Sequence, residues 1–234
     1  MNQSIADAVF GRGIRRLCHF TPSRNLQHIA GGEIGILSTS SLKEQERAAY
    51  TATDLERLDQ KTTHICCSIE YPNAWYFDRA RANEKLFLDW VVLLISPHYL
   101  AEEDTLFCPR NAAANYGRHI TSGFEGFNTM FAERVTGTRN ATYIRSASHL
   151  SSCPTDQQAE VLIKDRVLLR DIIGVAVVSE DQARTERVRL RTNGVNPDQF
   201  RFVIAPQMFN KYALSEVITR GTAESELLYS PPVL

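Results

Sequence analysis

The pattern of apolar and polar residues along the chain predicts many short strands and few long helices. The continuous apolar run within 86–95 indicates a strand that is buried on both faces, because a half-buried strand would alternate apolar and polar residues. We predict strands at 17–21, 34–37, 64–69, 86–95, 159–163, 172–178, 187–190 and 200–204. The arginines around 187–190 alternate with apolar residues, which is typical of a solvated edge strand.

Helical spacing of apolar residues predicts three helices between these strands. The first begins at Pro22-Ser23 and ends at Gly31-Gly32, the second covers about 74–83, and the third lies around 127–134. The polar segment 43–59 is predicted to be a surface helix or an ordered loop. These elements together favour an α+β domain built around a mixed or antiparallel sheet.

The composition is that of an ordinary globular protein and excludes collagen-like, coiled-coil and wholly disordered chains. The chain has 234 residues, of which 43% are hydrophobic and 23% are charged, and 26 basic residues nearly balance 27 acidic ones. This balance gives no indication of a nucleic-acid partner by itself. The sequence contains no internal repeat and no low-complexity linker, so we expect a single domain over residues 1–234.

The sequence predicts a cytoplasmic protein without a membrane span or a metal site. The apolar run Trp90–Ile95 is far shorter than the roughly 20 residues that cross a bilayer. The first 13 residues include Asp7 and lack the long apolar segment of a signal peptide. Five cysteines, an odd number without CxxC spacing, indicate reduced thiols. The adjacent pairs Cys18-His19 and Cys66-Cys67 are poor chelators, because neighbouring residues on a strand point to opposite faces.

One carboxylate, Glu160, lies at the head of an apolar strand and directly follows a polar segment of some forty residues. Spacing alone favours a salt-bridged glutamate at a strand end. The alternative is a carboxylate that the sheet holds rigidly and that faces a cleft covered by the polar segment. A loop of this length inside a compact domain is usually functional or disordered, and GxGxxG, P-loop, HExxH and GxSxG motifs are absent from the sequence.

Five segments in a fixed order carry a resemblance to a known family. They are His19-Phe20-Thr21 followed by Asn25, Arg57-Leu58-Asp59, Ser68-Ile69 with Pro72-Asn73, Phe107 to Ala113, and Gln158 to Leu162. Their order and spacing resemble the DarT family, toxin ADP-ribosyltransferases that modify single-stranded DNA. The similarity extends from about Leu17 to Val178.

The resemblance implies an ADP-ribosyltransferase-like fold, in which two small, mainly antiparallel sheets enclose an NAD cleft and helices lie at the periphery. It implies that NAD is the co-substrate, that no metal is required, and that Glu160 is the catalytic glutamate, with Arg57 as the essential arginine on the pyrophosphate. The residues expected to bind the cofactor are His19, Phe20, Thr21, Asn25, Ser68 and Tyr76.

By the same resemblance, residues 111–157 correspond to the substrate-recognition loop. Basic side chains can follow phosphates while aromatic rings stack on bases, but a solvated loop explains the arginines equally well. Phe124, Phe127 and Phe131 are interpreted as the apolar side of a short helix. The residues expected to contact nucleic acid are Arg110, Asn111, Arg118, His119, Arg139 and Arg145.

The family resemblance predicts transfer of ADP-ribose to a base of single-stranded DNA by a toxin or antiphage effector, whose antitoxin partner is a macrodomain protein. Two alternatives stay open, namely a transferase that acts on RNA and a catalytically silent nucleic-acid-binding module of the same fold. The SIxxPN and NAA motifs are more similar to the guanine-modifying branch of the family than to the thymine-modifying branch.

Overall fold

A computed structural model describes residues 1–31, 34–42, 57–136, 141–223 and 225–231. The helices of this part of the chain are α1 (Gln3–Arg12), α2 (Leu26–Gly31), α3 (Ala74–Asn83), α4 (Gly123–Thr129), α5 (Glu180–Thr192) and α6 (Lys211–Arg220). Its strands are β1 (Leu17–Pro22), β2 (Ile36–Leu37), β3 (His64–Ile69), β4 (Trp90–Ile95), β5 (Leu106–Cys108), β6 (Thr121–Ser122), β7 (Arg134–Thr136), β8 (Thr142–Ile144), β9 (Glu160–Lys164), β10 (Arg166–Val167), β11 (Ile172–Val177), β12 (Phe202–Ile204) and β13 (Leu227–Leu228).

Nine of these strands form one sheet in the order β13-β12-β11-β4-β1-β3-β9-β5-β6. Neighbouring strands are antiparallel except β11 and β12, which are parallel. The pairs β2–β10 and β7–β8 form separate two-stranded ribbons. The prediction of an α+β domain around a mixed, largely antiparallel sheet is therefore confirmed.

The expectation of two separate small sheets is wrong, because β1 and β3 join the two halves into one sheet. The join is short: β1 pairs with β4 over six residues, from Leu17 to Pro22, but with β3 only at Leu17 and Cys18. Strand β3 then continues alongside β9. The two halves consequently separate from His19 onwards, and the sheet opens between β1 and β3.

The core lies on both faces of this sheet. All six residues of β4 are buried, which confirms the prediction from its continuous apolar run. Val91, Leu93 and Ile95 face a cluster that includes residues of α1, α2, α4 and α5. Trp90, Val92 and Leu94 face a second cluster that includes residues of α3 and α6. Helices thus cover both faces of the central strand, and the neighbouring β1 is held between packed layers.

The predicted strand at 187–190 is wrong, because these residues belong to helix α5. Its buried residues, Ala183, Glu186, Arg187 and Leu190, recur every three to four positions, as expected of one helical face. Ser179 caps the helix, since its side chain accepts a hydrogen bond from the Gln182 amide. Arg189 faces solvent whereas Arg187 lies on the buried face, so the alternation of arginines does not mark the two faces of a strand.

Other boundaries also differ from the predictions, and the largest differences concern one helix and one strand. The helix expected at 127–134 runs instead from Gly123 to Thr129, and Arg134 begins β7. The strand expected from Leu86 begins only at Trp90, and the side chains of Leu86 and Leu88 are 82% and 78% exposed. Most of the predicted surface element at 43–59 lies outside the described residues. Within the described ranges, no helix is long and apolar enough to cross a membrane.

Candidate functional site

Glu160 is the first residue of β9 and its side chain is only 8% exposed. It lies opposite Cys108 in the pairing of β9 with β5, so the segment that follows β5 passes next to its carboxylate. The Asn111 amide nitrogen donates to Glu160 Oε1 at 3.2 Å, and the Ala112 backbone N–H donates to Oε2 at 3.1 Å. Hydrogen bonds from the segment after β5 therefore hold both oxygens of the carboxylate.

His19 lies where β1 separates from β3. Its Nδ1 is 2.9 Å from the carbonyl oxygen of Cys66, and because a carbonyl only accepts, Nδ1 carries the proton. Burial lowers the pKa of His19, and the nearby charge of Arg57 lowers it further, against the raising effect of the Cys66 carbonyl. The neutral ring therefore keeps Nε2 as an acceptor at the opening of the sheet.

Arg57 is bonded on every side by its own chain. Its guanidinium forms a two-point ion pair with Asp59, with Nε–Oδ1 and Nη2–Oδ2 distances of 3.0 and 2.9 Å. Nη1 donates to the His64 carbonyl at 2.9 Å and to Thr39 Oγ1 at 3.4 Å, and Nη2 also bonds the Lys61 carbonyl. Arg57 and Asp59 are 10% and 4% exposed, so this pair is buried rather than a surface ion pair.

Cys66 connects this ion pair to Glu160. Its thiol lies 3.8 Å from Asp59 Oδ2. Burial raises the pKa of the thiol, Glu160 and Asp59 raise it further, and Arg57 lowers it. Both carboxylates and the guanidinium are therefore close enough to Cys66 to shift the pKa of its thiol. The structure thus brings Glu160, Arg57 and His19 into one neighbourhood around β3.

Two other predicted cofactor residues stabilise the end of β1. The Asn25 amide nitrogen donates to Thr21 Oγ1 at 2.8 Å, and both side chains are buried. This bond ties the turn after β1 to the strand itself. Thr21 and Asn25 therefore fix the course of the chain directly after His19.

Phe20, Ser68 and Tyr76 form the side of the site next to α3. Ser68 Oγ accepts a hydrogen bond from the backbone N–H of Asn73 at 3.1 Å. The side-chain oxygen of Asn73 caps α3 by accepting from the backbone N–H of Tyr76 at 3.0 Å. The Phe20 ring stacks on Phe77 with centroids 4.6 Å apart and meets the edge of Tyr76 at 5.9 Å. These three residues are brought together, although Phe20 also belongs to the packed face that supports α3.

The predicted nucleic-acid residues Arg110, Asn111, Arg118 and His119 lie on the connection between β5 and β6. Burial lowers the pKa of His119, and the charges of Arg110 and Arg118 lower it further, so His119 is neutral near pH 7 and lies near two cationic side chains. His119 Nε2 lies 3.1 Å from the Asn115 amide nitrogen. Arg118 is exposed, so this connection presents positive charge to solvent.

The two remaining predicted contacts differ in their position. Arg145 bonds the Cys153 carbonyl at 2.8 Å and the Leu150 carbonyl at 2.6 Å, so its guanidinium holds the segment before β9. Arg139 lies outside the described residues. Contact of either residue with nucleic acid stays a prediction.

Asp156 is a buried acid that the sequence did not single out. It is 2% exposed, and burial raises its pKa to about 6, although the Gln158 amide and Arg110 act in the opposite direction. Its Oδ1 accepts from the backbone N–H of Gln158 at 2.8 Å, and its backbone carbonyl accepts from the backbone N–H of Ala159 at 3.0 Å. These two bonds form the turn that places Glu160 at the head of β9. The spacing of an aspartate four residues before Glu160 was the only signal in the sequence.

A cavity of about 320 Å³ lies at another part of the molecule, between the start of α2, the segment 86–89 and α5. Its polar lining includes Arg24 and the buried carboxylate of Glu186, which Arg189 binds at 2.9 Å. None of the predicted site residues lines this cavity.

Solved structures with a similar fold come from DarT proteins. A Thermus sp. 2.9 DarT in complex with NAD⁺ has a TM-score of 0.52 at 14% identity, covering 80% of this chain and 97% of its own. The same protein in complex with ADP-ribosylated single-stranded DNA gives 0.51 at 12% identity, with the same coverage. Thermosipho africanus DarTG in complex with ADP-ribose gives 0.55 at 14% identity over 83% of this chain. This chain spans about half the length of that DarTG chain.

At these identities the structural likeness shows the fold alone, and no curated protein matches the chain. The sequence itself carries the assignment to a family. The family model described as "ssDNA thymidine ADP-ribosyltransferase, DarT" matches residues 18–210, which include His19, Arg57 and Glu160. The chain therefore belongs to the DarT family of single-stranded DNA thymidine ADP-ribosyltransferases.

Proposed function

We propose that this protein transfers ADP-ribose from NAD to a base of single-stranded DNA and that Glu160 is its catalytic carboxylate. The observation that carries this proposal is the fixed position of the Glu160 carboxylate, 8% exposed and bonded at both oxygens, at the head of β9. Membership in the DarT family supports the reaction. The Thermus DarT structures with NAD⁺ and with ADP-ribosylated DNA support the two substrates.

The transfer breaks the bond between nicotinamide and ribose and forms a bond between the same ribose carbon and an atom of the base. Nicotinamide leaves with the bonding electron pair, and positive charge develops on the ribose as in glycoside hydrolysis. A negative carboxylate in a low-dielectric site stabilises that charge without rearrangement, because its hydrogen bonds already fix it. The carboxylate of Glu160 can also accept the proton that the attacking base gives up.

His19 and Arg57 are assigned supporting roles at the NAD end of the site. With Nδ1 donating to the Cys66 carbonyl, His19 presents Nε2 as an acceptor for a ribose hydroxyl. The five N–H groups of Arg57 already have hydrogen-bond partners. Arg57 would therefore have to give up some of these hydrogen bonds before it could bind a pyrophosphate directly. Its positive charge nevertheless lowers the pKa of His19, and we propose that Arg57 supports the reaction by keeping that ring neutral.

We propose thymine as the acceptor base, because the matching family model is described by thymidine modification. Guanine is a second candidate, which the SIxxPN and NAA motifs favour. A single strand suits either base, since the acceptor atom is otherwise occupied by pairing and stacking. Arg110 and Arg118 are proposed to contact the phosphates, because they bring positive charge to the connection after β5, and the neutral His119 is proposed to hydrogen-bond the same nucleic acid.

The biological role is proposed to be that of a toxin, paired with a macrodomain antitoxin that removes the modification and acting in defence against phage. The DarTG name of the Thermosipho structure supports a two-part system.

Mass spectrometry of oligonucleotides after incubation with NAD tests the reaction and the base together. Single-stranded DNA and RNA oligonucleotides, each containing one type of target base, are compared with the same sequences as duplexes. We expect an ADP-ribose adduct on thymine of single-stranded DNA, with an equal amount of nicotinamide released. An adduct on guanine or on RNA would replace the proposed acceptor, and binding without product or free nicotinamide would support the silent module.

A further inference from the structure

Consecutive residues of the connection between β5 and β6 hold the two oxygens of Glu160 separately. Asn111 Nδ2 donates to Oε1 at 3.2 Å, and the Ala112 N–H donates to Oε2 at 3.1 Å. Ala112 is completely buried, so its N–H has a fixed direction. Asn111 is 49 residues from Glu160 in sequence, and the pairing of Cys108 with Glu160 brings the two segments together.

The amide of Asn111 is itself held at its other end. Its Oδ1 accepts from the Ala113 N–H at 3.0 Å, and its backbone carbonyl accepts from the Ala114 N–H at 3.1 Å. Because a backbone N–H can only donate, the oxygen of the amide faces Ala113 and the nitrogen faces Glu160. The contacts thus determine the orientation of the side chain and leave its donor directed at the carboxylate.

We propose that Asn111 is a positioning residue for Glu160 rather than a contact to nucleic acid. A donor directed at Oε1 favours the ionised form of the carboxylate, and together with the Ala112 N–H it selects one rotamer. Glu160 consequently has the orientation that the reaction needs before either substrate binds. This inference rests on the proposed catalytic role of Glu160.

Three cysteine thiols also lie near Glu160. Glu160 raises the pKa of the thiols of Cys66 and Cys67 on β3 and of Cys108 on β5, so these groups lie near its charge. Their burial raises the same pKa values, so these thiols stay neutral near pH 7 and place no additional charge beside the carboxylate. The other charged groups that act on these thiols are Arg57 and Asp59 at Cys66, and Arg110 and Asp156 at Cys108.

Two substitutions of Asn111 distinguish its positioning of Glu160 from its contribution to the local turn. N111A removes both the donor to Glu160 and the acceptor for Ala113. N111D keeps an acceptor for Ala113 and loses only the donor, while it adds a carboxylate beside Glu160. N196A is the matched control, because Asn196 Oδ1 accepts from the Asp198 N–H at 3.0 Å in the same type of turn, far along the chain from the site.

Steady-state kinetics with NAD and a single-stranded DNA oligonucleotide give the decisive readouts. We expect N111A and N111D to lower kcat by about 10- to 100-fold, the effect of a small misplacement of a catalytic group, with less than about a threefold change in KM for either substrate. N111A should also move the acidic limb of the kcat–pH profile to higher pH, because it removes a donor that favours the ionised carboxylate, and N111D should move it further, because like charges disfavour ionisation. N196A should retain the kinetics of the wild type.

The outcomes distinguish this inference from the proposed function. If the wild type releases no nicotinamide with any single-stranded oligonucleotide, the proposed function itself fails. If the wild type is active and N111D keeps its kcat, the positioning role is wrong while the function stands. A rise in KM for the oligonucleotide at unchanged kcat would also overturn the inference, because it would make Asn111 a contact to nucleic acid.

Discussion

Replacing Glu160 with glutamine tests the central chemical assignment with little change in shape. The glutamine oxygen can accept from either the Ala112 N–H or the Asn111 amide, but its NH₂ group cannot accept from the other. One buried donor therefore loses its partner, which costs about 1–3 kcal/mol of unfolding free energy. Alanine would leave both donors without an acceptor, so glutamine is the cleaner variant.

The variant is expected to stay folded and yet to lose most of its transferase activity. Removing one preorganised electrostatic group lowers the rate by about 10²–10³, or roughly 2.7–4 kcal/mol in the barrier. We would measure transfer of labelled ADP-ribose to single-stranded DNA at 25 °C, together with thermal unfolding to establish that the variant is folded. A folded Glu160→Gln protein with a rate within about tenfold of the wild type, well short of the expected loss, would refute the role of the carboxylate.

Two further predictions concern buried charges near the site. Arg57→Met should lower the unfolding free energy by about 3–5 kcal/mol because it leaves Asp59 buried without its cation, whereas adding Asp59→Asn should recover part of that loss. Urea unfolding of the two single variants and the double variant measures the coupling, and strictly additive losses would mean that the two charges are independent. Asp156→Asn should stabilise the protein by up to about 3 kcal/mol above pH 6, because the pKa of Asp156 is raised to about 6 from 3.8. The folded state binds the extra proton, so its stabilising effect is complete below pH 4 and is lost as pH rises to 6; equal stability of both proteins at pH 4 and at pH 8 would contradict this reasoning.

Local patterns were sufficient for the elements that carry the site. The strands at β1, β3 and β9 lie where the apolar runs predict them, and α3 covers the predicted residues 74–83. These segments bury whole apolar faces, so their period reflects the packing directly. Helices α1 and α6 were not predicted, and neither belongs to the segments that carry the motifs.

The pattern failed where charge and period gave conflicting signals. Around Arg187 and Arg189, alternate arginines indicated a strand, although the buried residues follow a helical period. At Leu86 and Leu88, apolar residues outside the sheet extended a true strand by four positions. In both cases the side-chain type alone does not tell which residues face the core.

The sequence by itself determined the α+β class and the positions of the strands around the site. Through its ordered motifs it also indicated the family and singled out Glu160 as the candidate catalytic carboxylate. Only the tertiary structure decided which partners these residues have. It joined the two halves of the sheet through two residue pairs of β1 and β3, buried Arg57 against Asp59, and directed Asn111 at Glu160 across 49 residues. Such contacts depend on strand register and chain reversal between distant segments, and no local period along the chain records them.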